Sequence, residues 1–283
     1  MQAKPECDHC FLRQARDAAR RMGLDAERTE VLLQAVAAEL ERTPAGVTPP
    51  VRASRVHALV RELSGNPDPY RQAKREATAH ALALYPHLKE LVAGALEPLE
   101  TAVRLAIAGN IIDLGVAQEY DLEASIERVL AQPFAINDME ALRGAIGQAS
   151  NILYLADNAG ETVFDRLLIE TLGKPVTYVV KGGAAVNDAI RADAEQAGLD
   201  AVCTIIDSGA ATLGTLLEEC SPRLRELFRD ADLVIAKGMA NYESLSGSRP
   251  GLFFLLQAKC AIVADHLGVG EKSIILLQDS PGL

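Results

Sequence analysis

No part of this sequence runs apolar for the roughly 20 residues that a membrane-spanning helix needs, and its first ten residues, MQAKPECDHC, lack the apolar core of a secretory signal. These absences lead to the expectation of a cytoplasmic protein with no membrane partner. Cysteine is also sparse. Five in 283 residues, an odd number, fit reduced thiols rather than a disulfide framework, and Cys203 and Cys220 lie in apolar segments that suit small buried side chains. No basic stripe offsets the formal net charge of -11, which argues against nucleic acid as a partner. Most of that acidity reads as solubility, although a carboxylate-rich site would suit a bound cation and, with it, a small phosphorylated ligand.

Several catalytic signatures are missing too. There is no G-x-S-x-G elbow, no Walker lysine loop and no G-x-G-x-x-G turn, which disfavours P-loop kinases and dinucleotide-binding enzymes. No histidine lies near a strand end with a serine or cysteine beside it, so a nucleophilic triad is a poor fit. His57, His80, His87 and His266 fall in helical or post-strand segments and read as structural. Cys7-Asp8-His9-Cys10 is a C-x-x-C pair, with His9 as a further donor. Without a second such pair or an H-x-x-x-H, it lacks local partners for a zinc site, and a structural or incidental role is favoured.

What is present is a globular composition, 49% hydrophobic and 24% charged, in a chain long enough for two lobes. Residues 11–42 carry Leu, Ala and Val at helical spacing, closed by TPAGVTPP; the pattern resumes over 53–64, 70–91 and 92–108, and no strand is evident before residue 150. After that, short apolar runs alternate with helical stretches in the manner of βαβ units. Strands are expected at 151–156, 175–180, 201–206, 231–236, 260–264 and 273–277, apolar throughout as parallel strands covered on both faces are. The expectation is an α/β protein, with an N-terminal α-helical lobe over 1–145 and a three-layer α/β/α lobe with a mostly parallel sheet over 150–283.

Ligands of open parallel sheets bind beyond the carboxyl ends of the strands. Four of the expected strands end in polar clusters: Asp157-Asn158-Ala159-Gly160-Glu161, Lys181-Gly182-Gly183 with Asn187-Asp188, Asp207-Ser208-Gly209, and Lys237-Gly238-Met239-Ala240-Asn241-Tyr242-Glu243. Asp157, the amide oxygen of Asn158, and Asp188 are hard oxygen donors, suited to magnesium or manganese, ions that keep several waters and accept a substrate phosphate. Asp157-Asn158 could equally cap the following helix. Lys181 and Lys237, each chained to glycine, supply charge complementary to a phosphoryl group, and Ser208-Gly209 could add hydroxyl and amide donors.

Taken together and in order, these motifs, with Leu12-Arg13-Gln14 after the cysteine pair and Gly109-Asn110-Ile111-Ile112-Asp113 before the first strand, resemble the damage-control phosphatase family, formerly domain of unknown function 89. The likeness covers nearly the whole chain and is greatest to the prokaryotic branch with the C-x-x-C pair. The resemblance implies hydrolysis of small phosphorylated metabolites, sugar phosphates or damaged phosphometabolites, dependent on a divalent metal such as Mg, Mn, Co or Ni. It implies Asp157, Asn158 and Asp188 as metal ligands, with Asp157, Glu161 and Lys237 catalytic. Asn110, Asp113, Lys181, Ser208, Asn241 and Glu243 complete the expected substrate-facing set. In that scheme Glu161 positions the attacking water and Lys237 neutralises the phosphoryl oxygens, while attack by Asp157 itself, through an aspartyl-phosphate, is the alternative. The rival readings are a non-catalytic phosphometabolite sensor and an S-adenosylmethionine-dependent carboxyl methyltransferase; no glycine-rich cofactor turn supports the second.

Overall fold

The computed structural model describes residues 1–44, 46–109 and 122–279. Five helices come first: α1 (Pro5–Arg21), α2 (Ala26–Arg42), α3 (Pro49–Ser64), α4 (Arg71–Ala93) and α5 (Pro98–Gly109). Their boundaries follow local chemistry. The Asp25 side chain accepts the Arg28 N–H to cap α2, proline opens α1 and α3, and Gly65 closes α3 in the left-handed conformation. The remaining elements are α6 (Leu122–Ala131), β1 (Phe134–Asn137), α7 (Met139–Gln148), β2 (Ile152–Leu155), α8 (Thr162–Leu172), β3 (Val176–Val180), α9 (Arg191–Gln196), β4 (Thr204–Asp207), α10 (Pro222–Asp230), β5 (Leu233–Lys237), α11 (Gly238–Leu245), β6 (Leu252–Gln257), α12 (Ala261–Leu267) and β7 (Ile274–Gln278).

The strands form one sheet in the order β1-β7-β6-β5-β2-β3-β4, parallel except between β6 and β7. This mixed α/β architecture with a mostly parallel sheet matches the expected fold class. Alternate residues of each strand feed two apolar layers. Ile152, Tyr154, Tyr178, Ile235 and Leu255 face α4, α5 and α8, whereas Leu153, Val179, Val234 and Phe254 face α10, α11 and α12. Helices α1–α3 have a core of their own, built on Phe11, Ala15, Leu32, Val36, Val56 and Val60.

Three strand expectations are corrected. Residues 260–264 belong to helix α12, because Cys260 is its N-cap and the apolar run Ala261-Ile262-Val263-Ala264 lies on a helical turn. The strand in that region is β6, LFFLLQ, buried along its whole length. A short strand, β1, also precedes residue 150 and pairs with β7 at the sheet edge. Short apolar runs do not distinguish a buried strand from a buried helix by periodicity, which accounts for the exchange. Among the described residues no helix is long and apolar enough to cross a membrane.

Candidate active site

From β2 the chain proceeds to β3 and β4 on one side, while β5 and β6 lie on the other, so the strand order reverses between β2 and β5. In open α/β sheets such a switch point marks the ligand crevice, beyond the carboxyl ends of the two strands. Asp157 follows β2, and Lys237 and Gly238 close β5 beside it. Gly238 adopts φ +78°, and a Cβ there would overlap the Asp157 carboxylate, so the position requires glycine twice over.

The loop after β3 folds back across this crevice. Lys181 N–H donates to the Ala189 carbonyl at 2.8 Å, Ala189 N–H to the Asp157 carbonyl at 2.7 Å, and Ala159 N–H to the Asn187 carbonyl at 2.8 Å. Asn158 and Asp188 thereby form an antiparallel bridge, which sets Asp188 next to the Asp157-Asn158 pair. The turn over Ala159–Glu161 is braced from the helical side: Thr78 Oγ1 donates to the Ala159 carbonyl at 3.4 Å, and Gly160 lies so close to Ala77 that a side chain would crowd it.

Asp157, Asn158, Glu161 and Asp188 are all buried. Burial, and then the neighbouring Glu161 and Asp188 charges, push the Asp157 carboxyl well above the usual carboxylate range. Burial likewise lifts Asp188 to about 6 despite the opposing charge of Lys181. Asn158 directs its amide nitrogen at both Asp157 and Glu161. Asp188 Oδ2 is 3.3 Å from Lys181 Nζ, without the alignment of a hydrogen bond. Among the described residues no group of three or more His, Cys, Asp or Glu side chains is arranged as a ready-made metal cage. The donor set here is instead two carboxylates and an amide.

Lys237 is fully buried, its Nζ 2.8 Å from Glu161 Oε2 and 2.8 Å from Asp165 Oδ1. Burial alone would lower its pKa, but the Asp165 and Glu161 charges outweigh it and raise the value. Lys181 donates to the Gly214 carbonyl as well as pairing with Asp188. The Ser208 hydroxyl is engaged in its own turn, donating to the Ala210 carbonyl at 3.0 Å. Asn241 Nδ2 donates to the carbonyls of Ala156 and Lys237 at 3.1 and 2.8 Å, and its Oδ1 accepts from Thr215 Oγ1 at 2.8 Å, so it ties β2, β5 and the loop after β4 together. Glu243 lies apart from this group. Its titratable neighbours are the amino terminus, Cys7 and Cys260, and burial raises it to about 7. Asn110 and Asp113 lie outside the described residues. The five cysteines are free thiols, and His57 is buried against Gln14 at 3.0 Å, as a structural histidine is.

Two site residues escape sequence reasoning. Asp165 lies in the first turn of α8, just beyond Glu161 in the turn that opens the helix, a spacing visible in the sequence once the helix start is known. Lys259, half-buried, is close enough to Asp157 to draw its carboxyl pKa down. It sits just past the carboxyl end of β6, and the expected strand at 260–264 conceals it.

The profile of the damage-control phosphatase ARMT1-like domain matches residues 3–275. An uncharacterized protein of Methanocaldococcus jannaschii is 36% identical over 97% of this chain and 95% of its own length. A damage-control phosphatase of Archaeoglobus fulgidus is 36% identical over 79% of this chain and 80% of its own. One from Pyrococcus horikoshii is 31% identical over 99% of both. The crystal structure of a DUF89 family protein from Pyrococcus horikoshii superposes with a TM-score of 0.91 at 29% identity, covering 99% of this chain and all of that one. With a match along nearly its whole length, this chain belongs to the damage-control phosphatase ARMT1-like family.

Proposed function

We propose that this protein is a divalent-metal-dependent phosphatase acting on small phosphorylated metabolites, sugar phosphates or damaged phosphometabolites among them. The observation that carries the reading is the gathering of Asp157, Asn158, Glu161 and Asp188 in one buried place, where burial first, and then the Glu161 and Asp188 charges, raise the Asp157 carboxyl. Asp165 is a fourth buried acid beside them; Lys181 and Lys237 lie among these groups, Lys259 acts on Asp157 and Lys74 on Asp188. A divalent cation would offset the repulsion among Asp157, Glu161 and Asp188, and hard oxygen donors suit Mg, Mn, Co or Ni. The relatives from Archaeoglobus and Pyrococcus named as damage-control phosphatases support the same chemistry.

In this reading Asp157, Asn158 and Asp188 hold the metal, Asn158 through its amide oxygen. The metal, when bound, supplies a Lewis acid for a phosphoryl oxygen. Glu161 accepts the proton of the attacking water. Lys237, with no exposed surface, acts through Glu161 rather than on the phosphate. Lys259, half-buried beyond β6, takes the phosphate-facing position expected of Lys237. Asn241 and Ser208 serve by positioning the strand ends, and Lys181 by holding Asp188.

Phosphate release from p-nitrophenyl phosphate and a sugar-phosphate panel, with each metal and with EDTA, tests the proposal. Metal-dependent release is expected, and Asp157→Asn should abolish it while unfolding remains cooperative. A folded protein that binds these esters without turning them over would be a sensor instead. Methyl transfer from S-adenosylmethionine would favour the methyltransferase.

A further inference from the structure

A chain of buried polar groups runs away from the site into the apolar layer between the sheet and α8. Tyr154 on β2 and Tyr178 on β3 are register partners, with ring centroids 5.4 Å apart at 28° between planes. Each donates its hydroxyl to Asp165, Tyr154 to Oδ1 and Tyr178 to Oδ2, both at 2.7 Å. Asp165 Oδ1 also accepts from Lys237 Nζ, which donates in turn to Glu161 Oε2. The two tyrosines, Asp165, Lys237 and Glu161 have no exposed surface.

This is a costly way to fill a core. Apolar side chains of similar volume commonly stabilise such a place as well or better, so stability alone does not account for a buried carboxylate with three donors. What the arrangement does provide is direction. The tyrosines fix both oxygens of Asp165, Asp165 fixes one end of the Lys237 ammonium, and the ammonium fixes the Glu161 oxygen facing away from Asn158. The other oxygen, Oε1, faces Asn158 and the crowded carboxylates.

We propose that Asp165, Tyr154 and Tyr178 are positioning residues for the reaction, setting the orientation of Lys237 and through it of Glu161. The inference rests on the phosphatase reading above. None of the three reaches substrate, so their loss acts on the chemical step rather than on binding.

The test uses the full chain with Tyr154→Phe, Tyr178→Phe and the double variant, which keep the stacked rings and remove only hydroxyls. Tyr85→Phe is the matched control: Tyr85 donates to Glu170 on the same helix α8 at 2.6 Å, away from the site. Steady-state hydrolysis of p-nitrophenyl phosphate with manganese gives kcat and KM, thermal melting reports folding, and nitrogen-15 lysine labelling reports the buried Lys237 ammonium by NMR. Each site variant is expected to lose on the order of tenfold in kcat with KM within about twofold. The Lys237 signal should shift or broaden, while Tyr85→Phe leaves both readouts as in the parent.

Unchanged kcat in the double variant overturns the proposal, as does an equal loss in Tyr85→Phe. A parent protein that releases no phosphate removes the phosphatase reading. The ammonium signal then still decides whether the tyrosines orient Lys237, and an undisturbed signal overturns that as well.

Discussion

Lys237 and Lys181 occupy similar places in the sequence, each followed by glycine at the end of an apolar strand, yet their surroundings differ. Lys237 meets two carboxylates at 2.8 Å each and has no exposure. Lys181 meets Asp188 at 3.3 Å and a backbone carbonyl, and the Asp188 oxygen it faces accepts no aligned hydrogen bond. Helix α8 and the turn that opens it bring Asp165 and Glu161 to the first lysine, whereas a folded-back loop brings a single aspartate to the second. One corner of the crevice is thus a closed, fully paired scaffold. The other is a more open corner, held by one ion pair and a backbone carbonyl.

The largest test of this contrast is to remove each lysine. Lys237→Met strands two buried carboxylates and should lower the unfolding free energy by about 3–5 kcal/mol in urea denaturation. Lys181→Met should cost clearly less, since only the more loosely paired Asp188 is left; equal costs would erase the distinction between the corners. Next in size is Gly238→Ala, where a left-handed backbone and contact with Asp157 both resist a side chain. A loss of about 1–3 kcal/mol is expected, together with loss of metal-dependent phosphate release.

Asp188→Asn should act in the opposite sense to Lys237→Met. It removes one of three crowded acids, so stability by thermal melting should stay within about 1 kcal/mol of the parent or rise. Manganese affinity by calorimetry should nevertheless fall by at least roughly tenfold. A strongly destabilised Asp188→Asn would show that the open corner is as structural as the closed one. The smallest effect on folding belongs to Lys259→Ala, a half-buried residue at the rim. Stability should change by less than about 0.5 kcal/mol, while KM for a phosphate ester rises severalfold; an unchanged KM would remove Lys259 from the phosphate-facing position.

Much of the site is legible in the amino-acid sequence, because a parallel sheet concentrates polar residues at its carboxyl ends and those residues interrupt otherwise apolar runs. Asp157, Asn158, Glu161, Lys181, Asp188 and Lys237 stand out on that ground and do meet in space. Glu243 stands out too, but α11 turns it toward Cys7, Cys260 and the amino terminus. Asp165, Tyr154 and Tyr178 are hidden because they lie inside elements, where an aspartate looks like helix surface and a tyrosine like core. Lys259 is hidden by the exchange of β6 and α12, two short apolar runs with no distinguishing period.

The sequence by itself determined the fold class, the lysine and carboxylate inventory, and the family, since each depends on residue type and order along the chain. Only the tertiary structure decided which charges face one another. Reversal of strand order between β2 and β5 brings residues 157 and 237 together, and the loop that returns across the crevice carries Asp188 to Asn158. The division into one satisfied lysine and one loosely held is a property of that packing: burial strengthens charge interactions, and proximity in three dimensions selects which of them exist.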